Sequence, residues 1–139
     1  MKTSIKTLIV LAAMFMLPKF TQAQAPINPP YNINNNMTTC NVVVQWYIVD
    51  SGGSCGSSGT GAVISPGSFV TLGPSDFAGC GTVTAIKVEV LKIGGNTTGL
   101  PVQIDPVNST VMLPTAASCI PAGSSPMGLW NMNQCDINP

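Results

Sequence analysis

The sequence predicts an all-β domain: a small antiparallel two-sheet β-sandwich of Greek-key-like connectivity, with a small β-barrel as the alternative. Three observations carry the prediction. Two long stretches, 41–50 and 82–93, are rich in β-branched residues and carry a continuous apolar face at every second position, the other face of 41–50 being also largely apolar and broken by Gln45. Short apolar runs elsewhere are separated by Gly/Pro turn signals. No stretch beyond residue 23 joins a 3.6-residue period to helix caps, which leaves stacked sheets as the way to bury apolar faces.

Residues 1–23 read as a cleaved signal peptide. Lys2 and Lys6 form its basic start, and Leu8 to Leu17 form an apolar run too short to span a bilayer, which takes about 20 residues. Thr21-Gln22-Ala23 is a small-residue cleavage pattern, so the cut is placed between Ala23 and Gln24. The first cysteine, Cys40, lies far beyond that cut, so no acylated N-terminus and no membrane insertion after cleavage are expected. The product is expected in an exported location, either secreted and extracellular or in the periplasm and cell envelope.

The Pro/Asn-rich stretch 24–39 reads as an extended irregular arm, and 40–115 as the sandwich core. Within that core, Val42, Val44, Trp46 and Ile48 form one continuous apolar face of a strand over 41–50. Residues 51–61 are a Gly/Ser loop. Ser65-Pro66-Gly67-Ser68 then predicts a type II turn between short strands, because proline presets φ at its first central position and glycine supplies positive φ at its second. Over 82–93, Ile86, Val88 and Val90 face one way and Lys87 and Glu89 the other, the pattern of a half-buried strand. Shorter strands are predicted at 101–105 and 110–113. The stretch 116–139, bracketed by cysteines, reads as a surface tail of the same domain.

Charge narrows the function classes. The leader carries three of the five lysines, so beyond residue 23 only Lys87 and Lys92 face Asp50, Asp76, Glu89, Asp105 and Asp136, a net charge of −3. With no arginine in the chain and two lysines on one strand, nucleic acid is not an expected partner. Acid–base catalysis near neutral pH draws on side chains this chain lacks, since histidine is absent as well. Gly52-Gly53-Ser54-Cys55-Gly56 matches a nucleophile elbow in letters, but neither the helix nor the base that an elbow needs is present. The aspartates fall at predicted strand ends and turns, where backbone capping explains them better than hydrolysis or calcium binding. No enzyme, no cofactor and no metal are expected.

All five cysteines lie in the exported part, where oxidation is permitted. Choosing the unpaired one and pairing the rest gives fifteen arrangements. If the two long strands are antiparallel neighbours, Cys55 and Cys80 meet at one end of the sheet and pair. Cys119 and Cys135 would close a short loop, worth about 3 kcal/mol by loop-closure entropy. The alternative joins either of them to Cys40.

Tyr31, Tyr47 and Trp130 stand among Asn and Gln in the sequence, which suits an aromatic plate flanked by amides; Trp46 and Phe69 read as core. The expected function is therefore an exported non-catalytic β-sandwich that binds a protein or glycan through its surface. The alternative is a structural subunit, a homo-oligomer linked through the N-terminal arm or the odd cysteine.

Overall fold

The structure is a computed structural model that describes residues 25–139. The predicted leader 1–23 and its cleavage point at Ala23 and Gln24 lie outside the described residues. Among those described there are ten strands and no helix: β1 Tyr31–Asn35, β2 Val42–Asp50, β3 Gly53–Ser57, β4 Ala62–Ile64, β5 Phe69–Leu72, β6 Ala85–Ile93, β7 Val102–Ile104, β8 Thr110–Met112, β9 Met127–Trp130 and β10 Gln134–Asn138.

The strands form two sheets. Sheet A has the order β5-β1-β10-β9-β8, and sheet B the order β3-β2-β6-β7, with β4 also paired to β2. All pairs are antiparallel except β1 with β10, which run parallel. The sheets stay open at their edges, so the domain is a sandwich and not a closed barrel.

The two long strands do what their alternation dictates. β2 pairs with β6 along its length, and Val42, Val44 and Ile48 interleave with Ile86, Val88 and Val90 as fully buried side chains. Sheet A answers with Tyr31, Ile33, Leu72, Cys135 and Ile137, each at 0% exposure. At about 25 cal/mol per Å² of apolar area, burying each such side chain contributes roughly 2 kcal/mol.

Two sequence readings need correction. The arm is not irregular, because Tyr31–Asn35 is an inner strand of sheet A between β5 and β10. Its period is there in the residues, with Tyr31 and Ile33 facing in and Asn32 and Asn34 facing out, but asparagine is a poor strand former and also occupies the inward position 35. The tail does not merely wrap the surface. Met127–Trp130 and Gln134–Asn138 are paired strands of sheet A, and Gly128 lies so close to Ile104 of sheet B that a Cβ there would sit 2.2 Å from its Cδ1. Ser65–Ser68 forms the expected turn between two short strands, with Gly67 at φ 66 and the Ser68 N–H donated to the Ser65 carbonyl at 3.1 Å. It passes the chain from β4 in sheet B to β5 in sheet A, since turn residues specify a reversal and leave the partners of the flanking strands open.

Asn35 explains how the inner strand tolerates an inward amide. At 0% exposure, its Nδ2 donates to the carbonyls of Cys40 (2.8 Å) and Ile64 (2.9 Å), and its Oδ1 accepts the Met37 N–H at 3.1 Å. One side chain thus ties β1 to β4 of the other sheet and to the link between β1 and β2. The aspartates cap backbone N–H groups in the same way, Asp50 and Asp76 nearer the surface and Asp105 buried. Asp50 accepts the N–H groups of Gly81 and Gly52, which hold its carboxyl below the usual range. Asp76 accepts that of Gly73. At Asp105, burial works to raise the pKa but is outweighed by the Asn108 N–H, the Gln103 amide and the Val107 N–H, so its carboxyl is also held low.

Two disulfides complete the frame, Cys55–Cys80 and Cys40–Cys119, and Cys135 is left as a thiol. The Cys119–Cys135 pairing is excluded because β10 carries Cys135 into the core, whereas Cys119 lies in a loop beside Gly94 and the start of β2. Two intramolecular disulfides in so small an all-β domain fit an oxidising compartment.

Candidate functional site

Alternation leaves each sheet one outward face, and that of sheet A is almost wholly uncharged. β1 presents Asn32 and Asn34, with Asn36 just beyond it, and the parallel strand β10 presents Gln134, Asp136 and Asn138. Register sets Asn32 beside Gln134 and Asn34 beside Asp136. The side chains join into a ladder. Asn34 Nδ2 donates to Asp136 Oδ1 at 2.7 Å, Gln134 Nε2 to Asp136 Oδ2 at 2.8 Å, and Asn36 Nδ2 to Asn138 Oδ1 at 2.9 Å. On the other flank Thr71 Oγ1 donates to Asn32 Oδ1 at 2.8 Å.

Asp136 is the single charge on this face, and both its oxygens are held by amides. Asn34 Oδ1, Gln134 Oε1, Asn32 Nδ2 and Asn138 Nδ2 keep hydrogen-bonding capacity for another molecule, already oriented by the bonds their other ends make. β5 adds the apolar element, because Phe69 pairs with Asn34 and stands 63% exposed on this face. An exposed aromatic beside fixed amides and a carboxylate can stack on an apolar ring face while bonding hydroxyls around it.

The sequence-predicted aromatics are placed differently. Tyr31 is core, at 0% exposure, because β1 turns it inward. Its Oη has no hydrogen-bond partner, and burial first, then the Cys135 thiol and the Asp136 carboxylate, push its pKa upward. Trp130 is half-buried and packed against the core, its indole N–H donated across the sandwich to the Ile86 carbonyl at 2.8 Å, so it is a strut between sheets. Tyr47 alone of the three stands on an outward face, that of sheet B, where its hydroxyl accepts from Gln45 at 2.7 Å opposite Lys87. Phe69, read as core, is the exposed ring. Its β5 is a four-residue edge strand whose inward positions are Val70 and Leu72, and so short a run cannot reveal its facing from sequence.

No protein-family model, curated protein or solved structure matches this chain.

What the domain can do is therefore read from its own groups. Ser54 is exposed on the hairpin strand β3, with no strand-to-helix turn beneath it. Among the described residues no three His, Cys, Asp or Glu side chains gather as a metal site, and no helix is long and apolar enough to cross a membrane. An open hollow of about 360 Å³ between 26–29 and 77–83 is lined by Pro26, Ile27, Phe77 and Val83 among others, with no titratable group.

The linking devices of the assembly reading are both built into the fold, the arm as β1 and the odd cysteine as a buried core residue. Burial first, and Asp136 second, push the Cys135 thiol up to about 12, so it is neither exposed nor ionised near neutral pH. A thiol reagent is expected to leave the native protein unlabelled over hours and to titrate one thiol once denaturant is added. Rapid native labelling would contradict the burial of Cys135.

Proposed function

We propose that this protein is an exported, non-catalytic binding module that holds a neutral glycan on the outer face of sheet A. The observation that carries the proposal is the prearranged ladder Asn34–Asp136–Gln134 beside the exposed Phe69. Neutral sugars are hydroxyl-rich and apolar on one ring face, which matches a face with fixed amides, one carboxylate whose two oxygens each accept from an amide, and an aromatic plate. Protein partners are less well matched at the ladder, because interface cores draw on aromatic, Met and Arg side chains whereas β1 and β10 present amides there; the exposed Met112 lies off the ladder on β8. Export rests on the predicted leader and agrees with the two disulfides.

Phe69→Ala is expected to weaken binding to a glycan identified by array screening about tenfold, roughly 1.4 kcal/mol, while thermal stability stays within a few degrees because Phe69 lies outside the core. Tyr47→Ala, on sheet B, is expected to leave binding unchanged. Loss of binding with Tyr47→Ala and none with Phe69→Ala would move the site to the other sheet and refute the proposal.

A further inference from the structure

The register of sheet A says more about the ligand than its chemical class. Reading across the strands through Asn34, the outward residues are Phe69 on β5, Asn34 on β1, Asp136 on β10 and Leu129 on β9. Within the row two apolar side chains, Phe69 and Leu129, flank a hydrogen-bonded amide–carboxylate pair, and beyond Leu129 the row ends on the polar Thr110 of β8. The row through Asn32 lacks this pattern, since Thr71, Asn32 and Gln134 are all polar, and the row on the other side, through Asn36 and Asn138, has its apolar side chains, Met127 and Met112, at one end only. Along a strand the pattern is absent too: Asn32, Asn34 and Asn36 offer amides and no surface on which a sugar ring can stack.

We infer that the row Phe69–Asn34–Asp136–Leu129 is a set of subsites for an extended, neutral, β-linked oligosaccharide lying across the strands, a reading that rests on the glycan binding proposed above. Adjacent strands are about 4.8 Å apart, close to the rise of one sugar in an extended β-1,4-linked chain, so the stretch from Phe69 to Leu129, four of the sheet's five strands, matches about four sugars. The end sugars stack on Phe69 and Leu129. The inner ones present hydroxyls to Asn34 Oδ1, whose amide nitrogen is already committed, and to the remaining lone pairs of Asp136. Charge complementarity favours an uncharged chain. Asp136 has no cationic neighbour on this face, so a polyuronate would be repelled, and a cationic amino-sugar polymer would meet only one carboxylate whose oxygens are both engaged.

Calorimetric titration of the disulfide-intact protein with linear β-1,4-linked glucose and mannose oligomers, from the disaccharide upward, tests this. Affinity is expected to climb several-fold with each added sugar up to about four and then level off, at the span of four strands. Phe69→Ala and Leu129→Ala should each bring the plateau forward by about one sugar, and Asn34→Ala should weaken every length about equally. Two results would overturn the row and leave glycan binding standing: affinity independent of length, or a length dependence unmoved by both end substitutions. Failure of these oligomers together with binding of an unrelated glycan on an array would do the same, and no glycan bound at all would remove the underlying proposal.

Discussion

Asn35→Ala is expected to cost the domain about 4 kcal/mol. The substitution leaves the carbonyls of Cys40 and Ile64 and the N–H of Met37 without partners in a site closed to water, at roughly 1–3 kcal/mol each before any relaxation. A domain of this size has a total stability of about 5–15 kcal/mol, so the loss removes a large share of it. Asn35→Asp is the more telling variant. It keeps the shape and the acceptor facing Met37, yet replaces two donated hydrogens with a carboxylate oxygen aimed at two carbonyls, so it should be at least as damaging at neutral pH. Acidification should then recover part of its deficit, because protonation restores one donor. Asn34→Ala, one position away and outward-facing, should cost less than about 1 kcal/mol. Urea titrations read all three through the midpoint at constant slope. A deficit below about 1 kcal/mol for Asn35→Ala would refute the role given to this amide.

Removing the Cys40–Cys119 disulfide is the second large effect. It spans a sequence separation of 79, against 25 for Cys55–Cys80. Loop-closure entropy then assigns about 4.5 kcal/mol to the longer link and about 3.5 kcal/mol to the shorter. The paired variant Cys40→Ala with Cys119→Ala should therefore melt below the variant Cys55→Ala with Cys80→Ala, and lacking both bridges the chain should be largely unfolded at 37 °C. The order also follows from position. Cys40 stands at the junction of β1 and β2 and is 1% exposed, so its link pins the crossing from one sheet to the other, whereas Cys55–Cys80 joins the half-buried Cys55 of edge strand β3 to the loop before β6. An inverted order of melting temperatures would show that native-state contacts outweigh chain entropy at these sites.

The legible part of this fold is the part in which a period-two apolar face runs longest. β2 and β6 each run for nine residues, and their inward faces followed from period two alone. The Cys55–Cys80 pairing needed only the assumption that these strands are neighbours. Sheet A was far less legible. Its inner strand β1 is built on asparagine, its β5 and β9 are four residues each, and its β1–β10 pairing joins stretches about a hundred residues apart. A strand whose inward set is Tyr31, Ile33 and Asn35 reads as a polar linker until the partners of Asn35 are known. The candidate site inherits that difficulty. Asn32, Asn34 and Asn36 gain meaning only beside Gln134, Asp136 and Asn138, and Phe69 could be assigned to the surface only from its register with Asn34.

The parallel pairing of β1 and β10 also fixes how the domain would carry a mechanical load. Because the two strands point the same way, chain entering β1 and chain leaving β10 depart from opposite ends of the pair. Tension applied through those flanking segments slides one strand along the other, so the hydrogen bonds between them share the force instead of opening one at a time. Behind this clamp the Cys40–Cys119 bond closes off most of the intervening chain, so a molecule whose clamp yields can pay out only its two ends. The outward amides of Asn34 and Asn36, bonded to Asp136 and Asn138, thus sit on the element that resists pulling most directly.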